Sequence, residues 1–127
     1  MNDDPCDTKA VIDRFNEAFL RHEPALLDDL VADDCVLENT SPAPDGDLRH
    51  GRQACLEIWR GIAANRGARF ELEEVRVMGD HALVFWRYRW GPAQADSNRG
   101  INVMRVRGAR IVHARGYVKQ VPQGAPA

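Results

Sequence analysis

The chain has 127 residues, 44% of them apolar and 28% charged, with a formal net charge of −2. That is the size and balance of one globular domain able to bury a core. The missing basic surplus argues against nucleic acid as the main partner, and no apolar run approaches the ~20 residues of a membrane span.

The opening Met1-Asn2-Asp3-Asp4-Pro5 is acidic and polar, unlike a signal peptide. Cys6, Cys35 and Cys55 are odd in number and widely spaced. They fit neither a zinc motif nor a disulfide framework; Cys35 in an apolar strand and Cys55 on a helix are expected to be buried thiols in a reducing cytoplasm. Residues 1–6 and 120–127 read as loose ends.

Asp7 or Thr8 is placed to cap a first helix reaching about His22. Val11, Phe15, Ala18 and Phe19 share one face of it. Pro24 suits the first turn of a short second helix, buried through Leu26, Leu27, Leu30 and Val31 and ended by Asp33-Asp34. Residues 35–40 read as a strand. Residues 41–47, with Pro42, Pro44 and Asp45-Gly46, read as a loop. A third helix runs from Gly51-Arg52 to about Arg66, with Gly67 as its stop and Ala54, Cys55, Ile58, Trp59 and Ile62 inward.

Four strands follow. Residues 68–78 alternate with a phase change near Glu73-Glu74 that predicts a bulge. Gly79-Asp80 turns into 81–90, and Gly91 to Asn98 is a loop. Residues 99–107 and 110–118 form a hairpin through Gly108-Ala109. Within 81–90, Trp86-Arg87-Tyr88-Arg89-Trp90 alternates strictly, so the rings share one face and the arginines the other. The order predicts an α+β fold, an antiparallel sheet with helices on one face.

This order resembles the nuclear transport factor 2-like superfamily, which includes ketosteroid isomerases and SnoaL-like polyketide cyclases. The resemblance runs from about Thr8 to Lys119. It is carried by Ala10-Val11-Ile12-Asp13-Arg14-Phe15, by Leu30 to Asn39 with its Ala32-Asp33-Asp34, by Gly51-Arg52-Gln53-Ala54 and by Val103-Met104-Arg105-Val106. It implies a sheet curled into a cone, three helices on its concave face, and a small, largely apolar or aromatic ligand held between them. By resemblance the inward positions are Phe15 and Phe19, Leu37 and Asn39, Trp59, then Trp86, Tyr88 and Trp90, Asn102 and Met104, and Ala114 and Val118. The plain alternative is that these rings fill the cone and leave no cavity.

The isomerase machinery does not carry over. Its tyrosine donor falls on Phe15, its carboxylate base on Asn39 and its late aspartic acid on Asn102. Phenylalanine donates no hydrogen bond and asparagine is no base, though Asn39 and Asn102 can still donate to a carbonyl or oxyanion. Glu38 points away from Asn39 by alternation. Asp45, Asp47 and His50 offer an acid–base pair at the mouth, but ordinary turn chemistry explains the two aspartates equally well. His113 falls on the outer sheet face with Arg115 and Tyr117. No metal-ligand spacing, phosphate loop or nucleophile elbow occurs, so neither metal nor cofactor is expected.

Two function classes remain open. One is a SnoaL-like enzyme of cyclase, isomerase, dehydratase or hydrolase type with an unidentified base. The other is a non-catalytic ligand-binding or accessory domain. The outer face, with Arg87, Arg89, Arg105 and Arg115 beside Ile101, Val103 and Tyr117, is read as a homodimer contact in which Glu71 and Glu73 of a partner meet the arginines.

Overall fold

The structure is a computed structural model and describes residues 5–40 and 44–119. Its elements are α1 (Pro5–Leu20), a single 3-10 turn (Pro24–Leu27), β1 (Val31–Asn39), β2 (Asp47–His50), α2 (Arg52–Ala64), β3 (Arg69–Met78), β4 (His81–Arg89), β5 (Ser97–Arg107) and β6 (Arg110–Val118). Of the loose ends expected at 1–6 and 120–127, residues 1–4 and 120–127 lie outside the described residues, whereas Pro5 and Cys6 belong to α1.

α1 begins at Pro5, earlier than Asp7 or Thr8. Proline tolerates the first helical turn because its missing N–H would be an orphan there anyway. Thr8 is therefore a buried residue of the first turn rather than a cap. The helix ends in a left-handed His22, φ 54°, with the Glu23 N–H bonded to the Ala18 carbonyl at 2.8 Å. This is the six-to-one bond of a Schellman stop, usually built on glycine. His22 holds the conformation by donating from Nδ1 to the Ala63 carbonyl, 3.1 Å away in the last turn of α2. The two helix ends are thereby tied together.

The expected second helix is only one 3-10 turn, so the fold has two α-helices, not three. Val31 and the Asp33-Asp34 pair belong to β1 instead. The Ile111 N–H reaches the Leu30 carbonyl at 2.7 Å and draws this segment into the sheet. A second correction is β2, which lies where a loop was expected. Its four residues pair antiparallel with Val36 to Asn39 and form one edge.

The six-stranded sheet has the order β2-β1-β6-β5-β4-β3. It is mixed rather than purely antiparallel, because β1 runs parallel to β6 with Leu37 opposite Ala114 and Asn39 opposite Gly116. The bulge in β3 falls between Leu72 and Glu74, as expected. Gly108 and Ala109 both take positive φ, 59° and 63°, the two left-handed residues of a type I′ hairpin. α1 packs over β3 and α2 over β1, on one face of the curved sheet. The core between the layers is centred on Ile12, Phe15, Leu27, Leu56, Met104 and Ile111, all fully buried.

Candidate functional site: an aromatic cavity with carboxamides

Helical spacing brings Phe15 and Phe19 onto the sheet-facing side of α1, where their ring centres lie 4.9 Å apart. Trp59 of α2 meets Phe15 edge-on at 5.1 Å, and Phe70 of β3 meets Phe19 at 5.6 Å. These four rings form one continuous wall. On the sheet side Trp86 and Tyr88 rise from β4, with Tyr88 paired to Phe70 on the neighbouring strand. Between the layers is a cavity of about 290 Å³. The rings line the cone without filling it.

Ten of the twelve inward positions named from sequence line this cavity: Phe15, Phe19, Leu37, Asn39, Trp59, Trp86, Tyr88, Asn102, Ala114 and Val118. Two do not. Met104 has no exposed surface and belongs to the buried core. Trp90 is 48% exposed. β4 ends at Arg89, paired with Ser97, and the Trp90 N–H closes the loop onto the Asp96 carbonyl at 2.9 Å. Trp90 thus lies past the last paired residue of β4 and β5, half-exposed and outside the cavity lining.

Four lining residues were not anticipated as such. Gly116 follows from the alternation of Ala114 and Val118, and Ile62 from the inner stripe of α2. Phe70 faces the cavity because it pairs with Tyr88, and Asn98 because β5 starts two residues before the expected strand.

Two glycines give the site its shape. Gly100 pairs with Trp86 across β4 and β5, and a Cβ there would stand 2.6 Å from Trp86 Cη2 and from the Tyr117 carbonyl oxygen. The bare glycine lets the indole lie flat over β5, where Trp86 Nε1 donates to Asn102 Oδ1 at 3.1 Å. Gly116 sits between the two carboxamides. Its Cβ would be 3.2 Å from Asn39 Oδ1 and 3.3 Å from Asn102 Oδ1. At the mouth, Asn65 Nδ2 reaches Tyr88 Oη at 3.5 Å.

Among the described residues, no carboxylate, histidine, lysine or arginine lines the cavity. The candidate acid–base groups lie elsewhere. Glu38 faces outward and pairs with Arg115 at 3.3 Å. Asp45 and His50 are exposed. Asp47 is level with Asn39 on β2, but its carboxylate is held by Arg49 at 2.8 Å. His113 is half-buried on the outer face, its pKa lowered by burial and then by the Arg115 cation. Cys35 and Cys55 are buried neighbours between β1 and α2, and burial pushes both thiols up. Among the described residues, no three His, Cys, Asp or Glu side chains gather in a metal-holding group. No described helix is long and apolar enough to cross a membrane.

The outer arginines are paired within the chain. Arg89 bonds Glu71 and Arg99 bonds Glu73, each at 2.9 Å, and Arg105 bonds Asp80 at 2.9 Å. Glu71 and Glu73 are thus already engaged by arginines of their own sheet. The Arg89 hydrogen bond lowers the Glu71 pKa below its ordinary 4.5. A depressed carboxylate pKa stabilises the fold above the unfolded value and loses that contribution as pH falls through the folded one. Glu71→Gln should therefore narrow the gap between the urea midpoints at pH 7 and pH 3. An unchanged gap would show that this pair contributes nothing.

Residues 12–114 match the model of the SnoaL-like domain. The chain is 51% identical to an NTF2-like protein of unknown function from Mesorhizobium loti, with a TM-score of 0.83 over 90% of this chain and 92% of that one. A protein of unknown function with a cystatin-like fold from Methylobium petroleophilum aligns with a TM-score of 0.75 at 12% identity, over 100% and 86% of the two chains. An LEH-like epoxide hydrolase from M. tuberculosis gives 0.70 at 17% identity, over 90% and 79%. These last two share the fold alone. No curated protein matches the chain at a significant level. With its cone, its inward aromatics and a family match over most of its length, the chain belongs to the SnoaL-like domain family of the NTF2-like superfamily.

Proposed function

We propose that this domain binds a small, largely apolar or aromatic ligand in the cone. The observation that carries the reading is the 290 Å³ cavity walled by aromatic rings with carboxamides as its main polar groups, the usual make-up of a small-molecule site. The second reading is a cofactor-independent SnoaL-like enzyme of isomerase, lyase, cyclase or hydrolase type. Asn39 and Asn102 favour it, since their carboxamides converge beside Gly116 in the cavity lining and a carboxamide can donate to a reacting carbonyl through its NH₂. The LEH-like neighbour is named a hydrolase, which keeps that chemistry among the candidates.

Binding is tested with 2-naphthol, a flat aromatic of suitable size. It should quench the emission of Trp59 and Trp86 and raise the melting temperature by binding the folded state. No change in either would remove the ligand reading. A β,γ-unsaturated 3-ketosteroid should not be turned over above the solvent rate, because Phe15, Asn39 and Asn102 supply no base. Robust turnover would show that another group serves.

The domain is further proposed to act in the cytoplasm, in keeping with its two buried free thiols, and to pair as a homodimer through the outer sheet face. With Glu71 and Glu73 engaged at home, that contact would rest on Ile101, Val103 and Tyr117, the last 43% exposed. Sedimentation at micromolar concentration should give twice 14.3 kDa, and Tyr117→Arg should reduce it to the single chain. A monomer throughout would leave the face as solvated surface.

A further inference from the structure

A second cavity, of about 390 Å³, opens on the outer face of the sheet. Strand pairing builds it. Arg105 of β5 stands directly between His81 of β4 and His113 of β6, so one row across three strands carries imidazole, guanidinium and imidazole. The next row sets Val103 beside Arg115. Arg107, near the hairpin end of β5, and Asp34 of β1 complete the charged lining. Ile101 and Tyr117, on which the proposed homodimer contact rests, form the row beyond Val103, toward the other end of the face.

The guanidinium groups keep donors in reserve. Arg105 bonds Asp80 through Nε at 2.9 Å, and Arg115 meets Glu38 through Nε at 3.3 Å. Their terminal nitrogens have no partner among the described residues, and the exposed Arg107 has no ion pair among them. Asp80 and Glu38 offset two of the three cations from outside the lining, and Asp34 stands against the third. The pocket is therefore rich in donors but close to neutral while its imidazoles are neutral. Burial, then Arg115, His81 and Arg105, lower the His113 pKa, and only Glu38 raises it. An anion among these cations would favour the imidazolium instead.

We propose that this outer cavity binds the phosphoryl group of a small phosphate monoester. The free nitrogens of Arg105, Arg107 and Arg115 donate to its oxygens, and His113 adds a charge as the pH falls. The planar guanidinium suits phosphate geometry. The volume lies in the range of small-molecule sites, roughly 300–1,000 Å³, so the phosphoryl group arrives on an organic part, which Val103 and Val112 receive. This site is separate from the cone and does not depend on what the cone binds.

Calorimetric titration of the whole chain at constant ionic strength tests this. Butyl phosphate should bind with a dissociation constant below ~1 mM. It should bind at least ~threefold more tightly than inorganic phosphate, the worth of one covered methylene. Arg107→Gln should weaken butyl phosphate at least ~10-fold, the loss of a charge-assisted bond, and leave the response to 2-naphthol unchanged. Sulfate, a dianion throughout this range, should bind about threefold to tenfold more tightly at pH 5.5 than at pH 8, and His113→Gln should flatten that dependence. Binding of neither phosphate would overturn the site. Equal binding of the two would overturn the ester and leave a bare oxyanion site. Unchanged affinity in Arg107→Gln would show that phosphate binds elsewhere. A pH dependence unaltered in His113→Gln would remove His113 from the site.

Discussion

Phe15→Ala should lower the stability of the fold by about 3–5 kcal/mol, the range for a buried phenylalanine. The ring is 1% exposed and touches both Phe19 and Trp59 at contact distance. Each ring pair adds roughly 0.5–1.5 kcal/mol beyond the buried area. The upper part of the range is expected because Phe15 already borders a void. The volume it vacates joins the existing 290 Å³ rather than being closed by its neighbours, and cost rises with residual cavity volume. For a domain with a typical 5–15 kcal/mol in hand, this is a large fraction. Urea titration followed by far-UV circular dichroism measures it. A loss below ~1 kcal/mol would show that the four-ring wall does not bear on the core.

The second large effect is expected at Gly100. A valine there sets its Cβ against the Trp86 indole and against the Tyr117 carbonyl of the adjacent strand. The indole can rotate away but the strand backbone cannot. Overpacking of this kind costs about 1–3 kcal/mol. Displacing the indole also breaks its bond to Asn102, so binding should suffer as well as stability. The result expected of Gly100→Val is a folded domain with a lowered melting temperature and at least ~10-fold weaker affinity for 2-naphthol, about 1.4 kcal/mol. Unchanged affinity in a folded Gly100→Val variant would mean that the indole does not depend on the glycine.

Features set by neighbouring residues were legible in the sequence. The Trp86-Tyr88 stripe, the β3 bulge and the Gly108-Ala109 hairpin each follow from alternation or from a backbone conformation that few residues adopt. Features set by distant pairing were not. β2 is four residues beside a proline-rich stretch, and only its register against β1 makes it a strand. The Leu30–Ile111 bond, not local pattern, decides that Val31 leaves the helical turn. Trp90 continues the stripe in sequence and still falls outside the cavity, because the partner strand gives out opposite Arg89. Met104 alternates correctly with Asn102 yet is packed into the buried core and does not line the cavity. The bond from Trp86 to Asn102 is diagonal across two strands and depends on an intervening glycine, so no periodicity points to it.

The parallel pairing of β1 with β6 has a consequence for synthesis. β1 is fifth from the far edge and second from the near one, and among the described residues its partners are the short β2 and the last strand, β6. Val31 meets Ile111 and Asn39 meets Gly116, so loop closure spans most of the molecule before these contacts can form. The hairpins of β3 to β6 close locally, whereas the N-terminal half must wait for the final strand to leave the ribosome. Such non-local pairing slows folding. A nascent chain halted before Arg110 would hold Cys35, Leu37 and the inner face of α2 without the strand that completes their sheet, and would be a substrate for chaperones rather than a half-built cone.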